Sequence, residues 1–248
     1  MTMKPYYDHA GITIYHGDCR EVMGSMPEDS IDIIWTDPPY GHSNHDGDFN
    51  SRLNSLRGID DKPIANDSRD LMRETVDTML LEAARVLKRD CCCCCCCCCG
   101  GGGPSPTFAW LALRMDDKGL RFFHSCIWDK RNPGLGWRFR RQHEMVMVAH
   151  RKGGKLKWAD DASCMPNILS YYPPRDRLHP NEKPIDMVSA FLAKMATPDS
   201  VVLDPFMGAG TTLVAAKAMG LRCIGIELEE SYCEIAANRL AQEVLPFA

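Results

Sequence analysis

Three short stretches hold residue types that can do chemistry. In Ile31-Asp-Ile-Ile-Trp-Thr-Asp-Pro-Pro-Tyr40 an apolar run ends on an acid, two prolines and an aromatic ring. Proline fixes φ and has no N–H, so the turn at Pro38 and Pro39 aims a carbonyl without a competing donor, beside the Asp37 carboxylate and the flat face of Tyr40. The second stretch is Val201-Val-Leu-Asp-Pro-Phe-Met-Gly-Ala-Gly-Thr-Thr212. Its glycines sit at a tight strand-to-helix turn, where a ligand can approach the backbone and the helix N-terminus offers free N–H groups. The third is Ile224-Gly-Ile-Glu227, an acid closing the next strand. It follows the first glycine by roughly 20 residues, the separation at which a carboxylate reaches ribose hydroxyls. Gly208-Ala-Gly210 lacks the third glycine of the dinucleotide fingerprint, and Asp204 repels a phosphate while favouring an ammonium or a sulfonium. A nucleoside with a small cationic tail is the ligand expected there.

These stretches need rigid elements to hold them, and the hydrophobic pattern supplies alternating strands and helices. Ile12–His16, Ile31–Thr36, Leu120–Trp128, Glu144–His150, Val201–Leu203 and Cys223–Ile226 read as strands. Arg20–Met26, Ser68–Lys88, Ile185–Ala196, Thr211–Met219 and Tyr232–Val244 read as helices, and Ser105 with Pro106 can open another. Strand-helix alternation predicts an α/β fold, a doubly wound and mostly parallel sheet in which ligands bind beyond the carboxyl ends of the strands. A chain of 248 residues that is 45% hydrophobic can bury one large core. No apolar stretch reaches the length of a membrane span and the N-terminus lacks a secretory core, so a cytoplasmic protein without a membrane partner is expected.

Fourteen cysteines suggest a disulfide scaffold until their positions are read. Nine are consecutive, Cys91 to Cys99, and the others have no pairwise spacing. Successive side chains of an extended run point to opposite faces, and no histidine completes a tetrahedral metal shell. The run reads as a central parallel strand buried on both faces, with reduced cysteine acting as a small hydrophobe. His42 and His45 read as plain loop residues, so no metal site is expected.

On these motifs the chain resembles the amino-group DNA methyltransferases that use S-adenosylmethionine. Asp37-Pro-Pro-Tyr40 resembles their catalytic motif, Asp204-Pro-Phe-x-Gly-x-Gly-Thr211 their cofactor motif, and His179-Pro-Asn-Glu-Lys-Pro184 the motif opening the helix before it. The order is that of the β group, which includes orphan and phage-encoded enzymes similar to the cell-cycle-regulated adenine methylases. The resemblance covers nearly the whole chain. It implies a Rossmann-like methyltransferase sheet with an antiparallel element and a short inserted DNA-recognition region. Residues 1–128 would form the catalytic half with a mobile loop at 41–67, residues 129–178 the recognition region, and residues 179–248 the cofactor half of the same domain.

The resemblance also assigns roles. Asp37 and the Pro38 carbonyl would accept the two hydrogens of a flipped adenine's amino group, with Pro39 rigidifying the turn and Tyr40 stacking on the base. Asp18 and Cys19 would contact the cofactor's adenine and Lys183 its carboxylate. Asp204, Phe206, Gly208, Gly210, Thr211 and Glu227 would complete the cofactor site. The acid that leads the tetrapeptide favours adenine N6, since cytosine-N4 enzymes of this family more often begin it with serine. A cytosine-N4 enzyme and an inactive DNA-binding relative remain the alternatives.

Net charge is −4, yet the segment from Arg121 to Lys157 carries ten basic residues against two acids, with Trp128, Trp137, Phe139 and Trp158 interleaved. That composition predicts a face for double-stranded DNA, with Lys130, Arg131, Arg138, Arg140 and Arg141 the candidate phosphate contacts. The recognition region is short for a long asymmetric site, which predicts a homodimer on a short, near-palindromic sequence.

Overall fold

β-branched and aliphatic runs fit a pleated surface buried on both sides, and the strands form where such runs stand. The computed structural model describes residues 3–39, 69–97, 107–133, 140, 142–159, 164–175, 177–179 and 181–242. Among these, the strands are β1 (Tyr7–His9), β2 (Ile12–His16), β3 (Ile31–Thr36), β4 (Leu87–Cys97), β5 (Leu120–Asp129), β6 (His143–Arg151), β7 (Ile168–Ser170), β8 (Val201–Asp204) and β9 (Arg222–Glu227). The helices are α1 (Cys19–Gly24), α2 (Arg69–Val86), α3 (Thr107–Asp117), α4 (Ile185–Met195), α5 (Thr211–Ala218) and α6 (Glu230–Ala241). All nine strands belong to one sheet in the order β1-β2-β9-β8-β3-β4-β6-β5-β7.

The run β2, β9, β8, β3, β4 is parallel throughout. Strand β6 enters antiparallel to β4 and to β5. This is the expected doubly wound α/β sheet with an antiparallel element. The cysteine strand needs one correction. It is parallel to β3 but antiparallel to β6, so it marks the border of the parallel region and not its centre. Strands β1 and β7 were not legible, because three residues are too few for a period-two pattern.

Period-two alternation splits the cysteines between two cores. Cys92, Cys94 and Cys96 face α4 together with Ile33 and Trp35, while Cys93 and Cys95 face α2 together with Ile34. On the α4 side the Phe191 ring packs against Trp35 at 5.0 Å between centroids, and both residues are fully enclosed. Burying each such ring stabilises by about 1.5–3 kcal/mol, and Phe191→Ala would remove about 3–5 kcal/mol. The sheet is also stitched where β3 begins. Asp32 accepts both 2.8 Å bonds from Lys88 Nζ and a 2.9 Å bond from the Val201 N–H, which fixes β4 and β8 against β3.

No helix among the described residues is long and apolar enough to cross a membrane. Ser105, Pro106, Tyr40 and the loop expected at 41–67 lie outside the described residues.

Candidate active site

Parallel strands deliver their carboxyl ends to one edge of the sheet. Here β2 ends at Gly17-Asp18-Cys19, β3 at Asp37-Pro38-Pro39, β8 at Asp204 and β9 at Glu227. All of these residues line one cavity, with Phe206, Gly208, Thr211 and Lys183. Residues as far apart in sequence as Gly17 and Glu227 therefore meet in a single cleft. Gly210 lies just behind it at the N-terminus of α5.

The floor is the turn from β8 into α5. Gly208 and Gly210 adopt φ of +49° and +81°, the left-handed region open mainly to glycine. A Cβ on Gly210 would stand 2.8 Å from the Ala236 Cβ, so this glycine lets the turn sit directly on α6. A Cβ on Gly208 would press on the His179 ring at 3.3 Å. His179 is half of an edge-to-face pair with Tyr232, centroids 4.7 Å apart. Burial, followed by the nearby Lys183 charge, lowers the His179 pKa to about 4, so the ring is neutral. It closes the cavity as an aromatic wall.

Two acids face this turn. Asp204 is buried, accepts a 2.5 Å bond from Thr212 Oγ1 and a 3.1 Å bond from the Phe206 N–H, and is pushed up to about 7. Burial is the main cause, and the negative charges of Asp37 and Glu227 add to it. Glu227 accepts 2.9 Å bonds from the Gly208 and Glu229 N–H groups, and burial raises its pKa as well. A cavity floored by reluctant carboxylates repels phosphate and is stabilised by an incoming cation. This donor set fits a cofactor with a nucleoside and a positively charged tail.

Asp18 stands where α1 meets the cavity. It is the N-cap of α1, accepting a 2.8 Å bond from the Arg20 N–H, and it lines the cavity. The Arg20 guanidinium holds its carboxylate below the ordinary range. Cys19 is buried beside it, its thiol pushed up to about 12 by burial.

The catalytic edge is organised by charge. Lys183 is only 6% exposed and its Nζ lies 2.5 Å from Asp37 Oδ2 and 3.2 Å from Glu144 Oε2. The residue read as the partner of a cofactor carboxylate is thus held here by two protein carboxylates. Glu144 also pairs with Lys130, whose ammonium stands 5.0 Å from the Trp128 ring centroid. Although burial opposes its ionisation, the Lys183 and Lys130 charges bring the Glu144 carboxyl down to about 2. Sequence reasoning missed Glu144 and His179. The available signal for Glu144 was an acid directly before the apolar run Met145–Ala149, and for His179 its place in the motif ending at Pro184.

The basic segment is not one face. Strands β5 and β6 are antiparallel, so Asp129 pairs with His143 at the site end while Leu120 pairs with Arg151 at the opposite end. Arg121, Arg151, Lys152, Lys155 and Lys157 consequently lie away from the cavity, where Arg151 pairs with Asp29 and Lys157 with Asp90. Lys130 and Arg131 are at the site end, and the Arg131 guanidinium lies 5.4 Å from the Tyr172 ring centroid. Arg140 is exposed; Arg138, Arg141, Trp137 and Phe139 lie outside the described residues. Trp128 is corrected as a stacking surface: it is 3% exposed and its indole N–H donates to the Tyr171 carbonyl at 2.8 Å. No cluster of metal-ligating side chains occurs among the described residues.

Comparison with known proteins adds an independent finding. The family model described as DNA methylase, covering N6 and N4 enzymes, matches residues 31–238. The protein YubD of Escherichia coli (strain K12) is 31% identical over 225 residues, covering 91% of this chain and 88% of that protein. Among solved structures, the PvuII DNA methyltransferase, described as cytosine-N4-specific, superposes with a TM-score of 0.75 at 20% identity over 98% of this chain and 90% of that one. The M1.HpyAVI–SAM complex gives 0.65 at 23% identity over 92% of this chain and 99% of that one. At these identities the two structures share the fold.

Proposed function

Because the chain belongs to the N6/N4 DNA methylase family, a group of S-adenosylmethionine-dependent DNA methyltransferases, we propose that it methylates N6 of an adenine flipped out of double-stranded DNA. The observation that carries this reading is the meeting of Asp37, the Gly208 turn and Glu227 in one cleft. S-adenosylmethionine supplies an electrophilic methyl group on a sulfonium. On the cofactor side, Glu227 would accept ribose hydroxyls, Asp18 and Cys19 would flank the purine, and the Asp204 carboxylate would meet the positive charge; all four line the cleft.

On the substrate side the chain must compensate for a weak nucleophile. The lone pair of an exocyclic amino nitrogen is delocalised into the ring. The Asp37 carboxylate and the Pro38 carbonyl hold its two hydrogens, draw the nitrogen toward tetrahedral geometry, and stabilise the positive charge that grows on it. Tyr40 stacks on the base. Lys130, Arg131, Arg138, Arg140 and Arg141 would meet phosphates at the site end of the sheet, and affinity would fall steeply with salt. Two copies on a short near-palindromic site complete the reading.

The test is transfer from tritiated S-adenosylmethionine to duplex DNA, followed by hydrolysis to nucleosides. Label in N6-methyldeoxyadenosine is the expected result. Label in N4-methyldeoxycytidine overturns the choice of base, and no label in either overturns the activity. Sedimentation that shows a monomer both free and on DNA removes the dimer.

A further inference from the structure

The chain of charges Asp37, Lys183, Glu144 and Lys130 is not explained by methyl transfer as described above. Removing carboxylates and ammonium groups from water costs several kcal/mol per ion in a protein interior, so a buried relay of this kind is weak evidence for stability. Its geometry is also uneven. The Lys183 ammonium lies 2.5 Å from Asp37 but 3.2 Å from Glu144, and Glu144 Oε2 makes no well-formed hydrogen bond despite lying in the interior. One carboxylate holds the lysine tightly, and a second stands within reach with acceptor capacity left over.

The chemistry of Asp37 makes that asymmetry consequential. An ammonium and an exocyclic amine are both N–H donors, and the ammonium, being charged, is the stronger competitor for one carboxylate. While Lys183 sits on Asp37, the acid is partly neutralised at the moment it should stabilise positive charge on the base nitrogen. Lysine is a compact charge on a flexible stem with three rotatable donors, so it can change acceptors without moving the backbone. Resting on the functional reading above, we propose that Glu144 is a positioning residue that receives Lys183 from Asp37 when the target base enters. Before the base enters, the ammonium would stand in for the amino group and keep Asp37 in place. With the base present, Glu144 takes the lysine and leaves Asp37 its full negative charge.

The sequence places Glu144 suitably for this. It is the second residue of β6, the antiparallel strand whose beginning lies at the site end of the sheet, and Lys130 just after β5 holds its other oxygen. Among the described residues, the carboxylates paired with Lys183 are Asp37 from the end of β3 and Glu144 from β6, with neutral His179 on its own loop and Lys130 beyond Glu144.

Glu144→Gln keeps the shape and removes the charge. In single-turnover transfer to DNA its rate is expected to fall roughly 10- to 100-fold, the scale on which misplacement of one reacting group acts. Cofactor affinity by calorimetry should stay near that of the wild type, which also reports that the variant is folded. Glu144→Asp, which retains the charge, should keep most of the activity. A folded, cofactor-binding Glu144→Gln enzyme with wild-type rates overturns the proposal, as does a folded, cofactor-binding Glu144→Asp enzyme impaired as much as Glu144→Gln. If Glu144→Gln does not bind cofactor, the Glu144→Asp rate decides alone: wild-type-like supports a role for the charge, and loss equal to inactivation overturns it. A wild-type protein that transfers no methyl group to DNA overturns instead the functional reading on which this rests.

Discussion

Asp204 and Glu144 are both buried acids at the carboxyl edge of the same sheet, yet their surroundings push them in opposite directions. Asp204 is met by a hydroxyl and an amide, and burial lifts it to about 7. Glu144 is met by two lysines, which bring it down to about 2 against the same burial. The difference divides the cleft by function. On the proposed reading, a bound cofactor would bring the positive charge with which Asp204 pairs nowhere among the described residues, whereas on the substrate side Lys183 would pass from Asp37 to Glu144. Asp37 lies between, near enough to raise Asp204 and bonded to the lysine that serves Glu144.

The largest expected effect is at that midpoint. Asp37→Ala removes the acceptor for the amino hydrogen and for the developing charge, and methyl transfer should drop by on the order of 10³-fold or more, several kcal/mol of barrier. Cofactor affinity, measured by calorimetry, should be largely kept. If affinity falls in parallel with rate, the two sides of the cleft are not separate and the contrast drawn above is lost.

Next in size is the response of cofactor binding to pH. A cation beside Asp204 favours its ionised form, so binding expels a proton wherever Asp204 is protonated beforehand. Affinity should therefore rise with pH up to about 7, the value to which burial lifts Asp204, and level off above it. The limiting slope is about tenfold per pH unit. Asp204→Asn should bind more weakly and flatten this dependence. Glu144→Gln should leave it intact, because Glu144 stays ionised across the whole range. Isothermal titration in buffers of different ionisation heat counts the proton directly.

The cofactor side was the more legible of the two in sequence. Its chemistry lies in consecutive residues at strand ends, where glycines, an acid and a following acid keep a fixed order, and the parallel fold then brings Asp204, Gly208 and Glu227 together with little further information. The substrate side depends on how β5 and β6 pair. Whether Lys130 and Glu144 lie beside the site, and Arg121 and Arg151 far from it, is settled by antiparallel register, which no local spacing encodes. Counting charge along the segment therefore gathered residues that the sheet separates. The same loss of information hid Glu144, whose role is set by Lys183 thirty-nine positions later in the chain. Trp128 was misread for a related reason, since its ring is covered by elements that meet it only in the fold.

The smallest effect is on the stability of the cofactor-free protein, and there the two acids should leave opposite marks. Asp204 has a folded pKa above its unfolded one, so the folded state holds a proton more tightly; its contribution to stability is present in acid and is lost as pH rises toward and past about 7. Glu144 has a folded pKa below its unfolded one, so its contribution is present above the ordinary carboxylate range and is lost as pH falls toward about 2. The unliganded protein should be most stable in mildly acidic solution, between those two windows. Calorimetric melting across pH should show a fall on the alkaline side, on the order of a few degrees since 1 kcal/mol moves Tm by about 2–4 °C in a chain of this size. Asp204→Asn should remove the alkaline fall and leave the acid one, and Glu144→Gln should do the reverse. Saturating cofactor should also erase the alkaline fall in the wild type, because the charge it brings satisfies Asp204 in its ionised form. An alkaline fall that survives both Asp204→Asn and saturation would mean that the cofactor side was never short of positive charge.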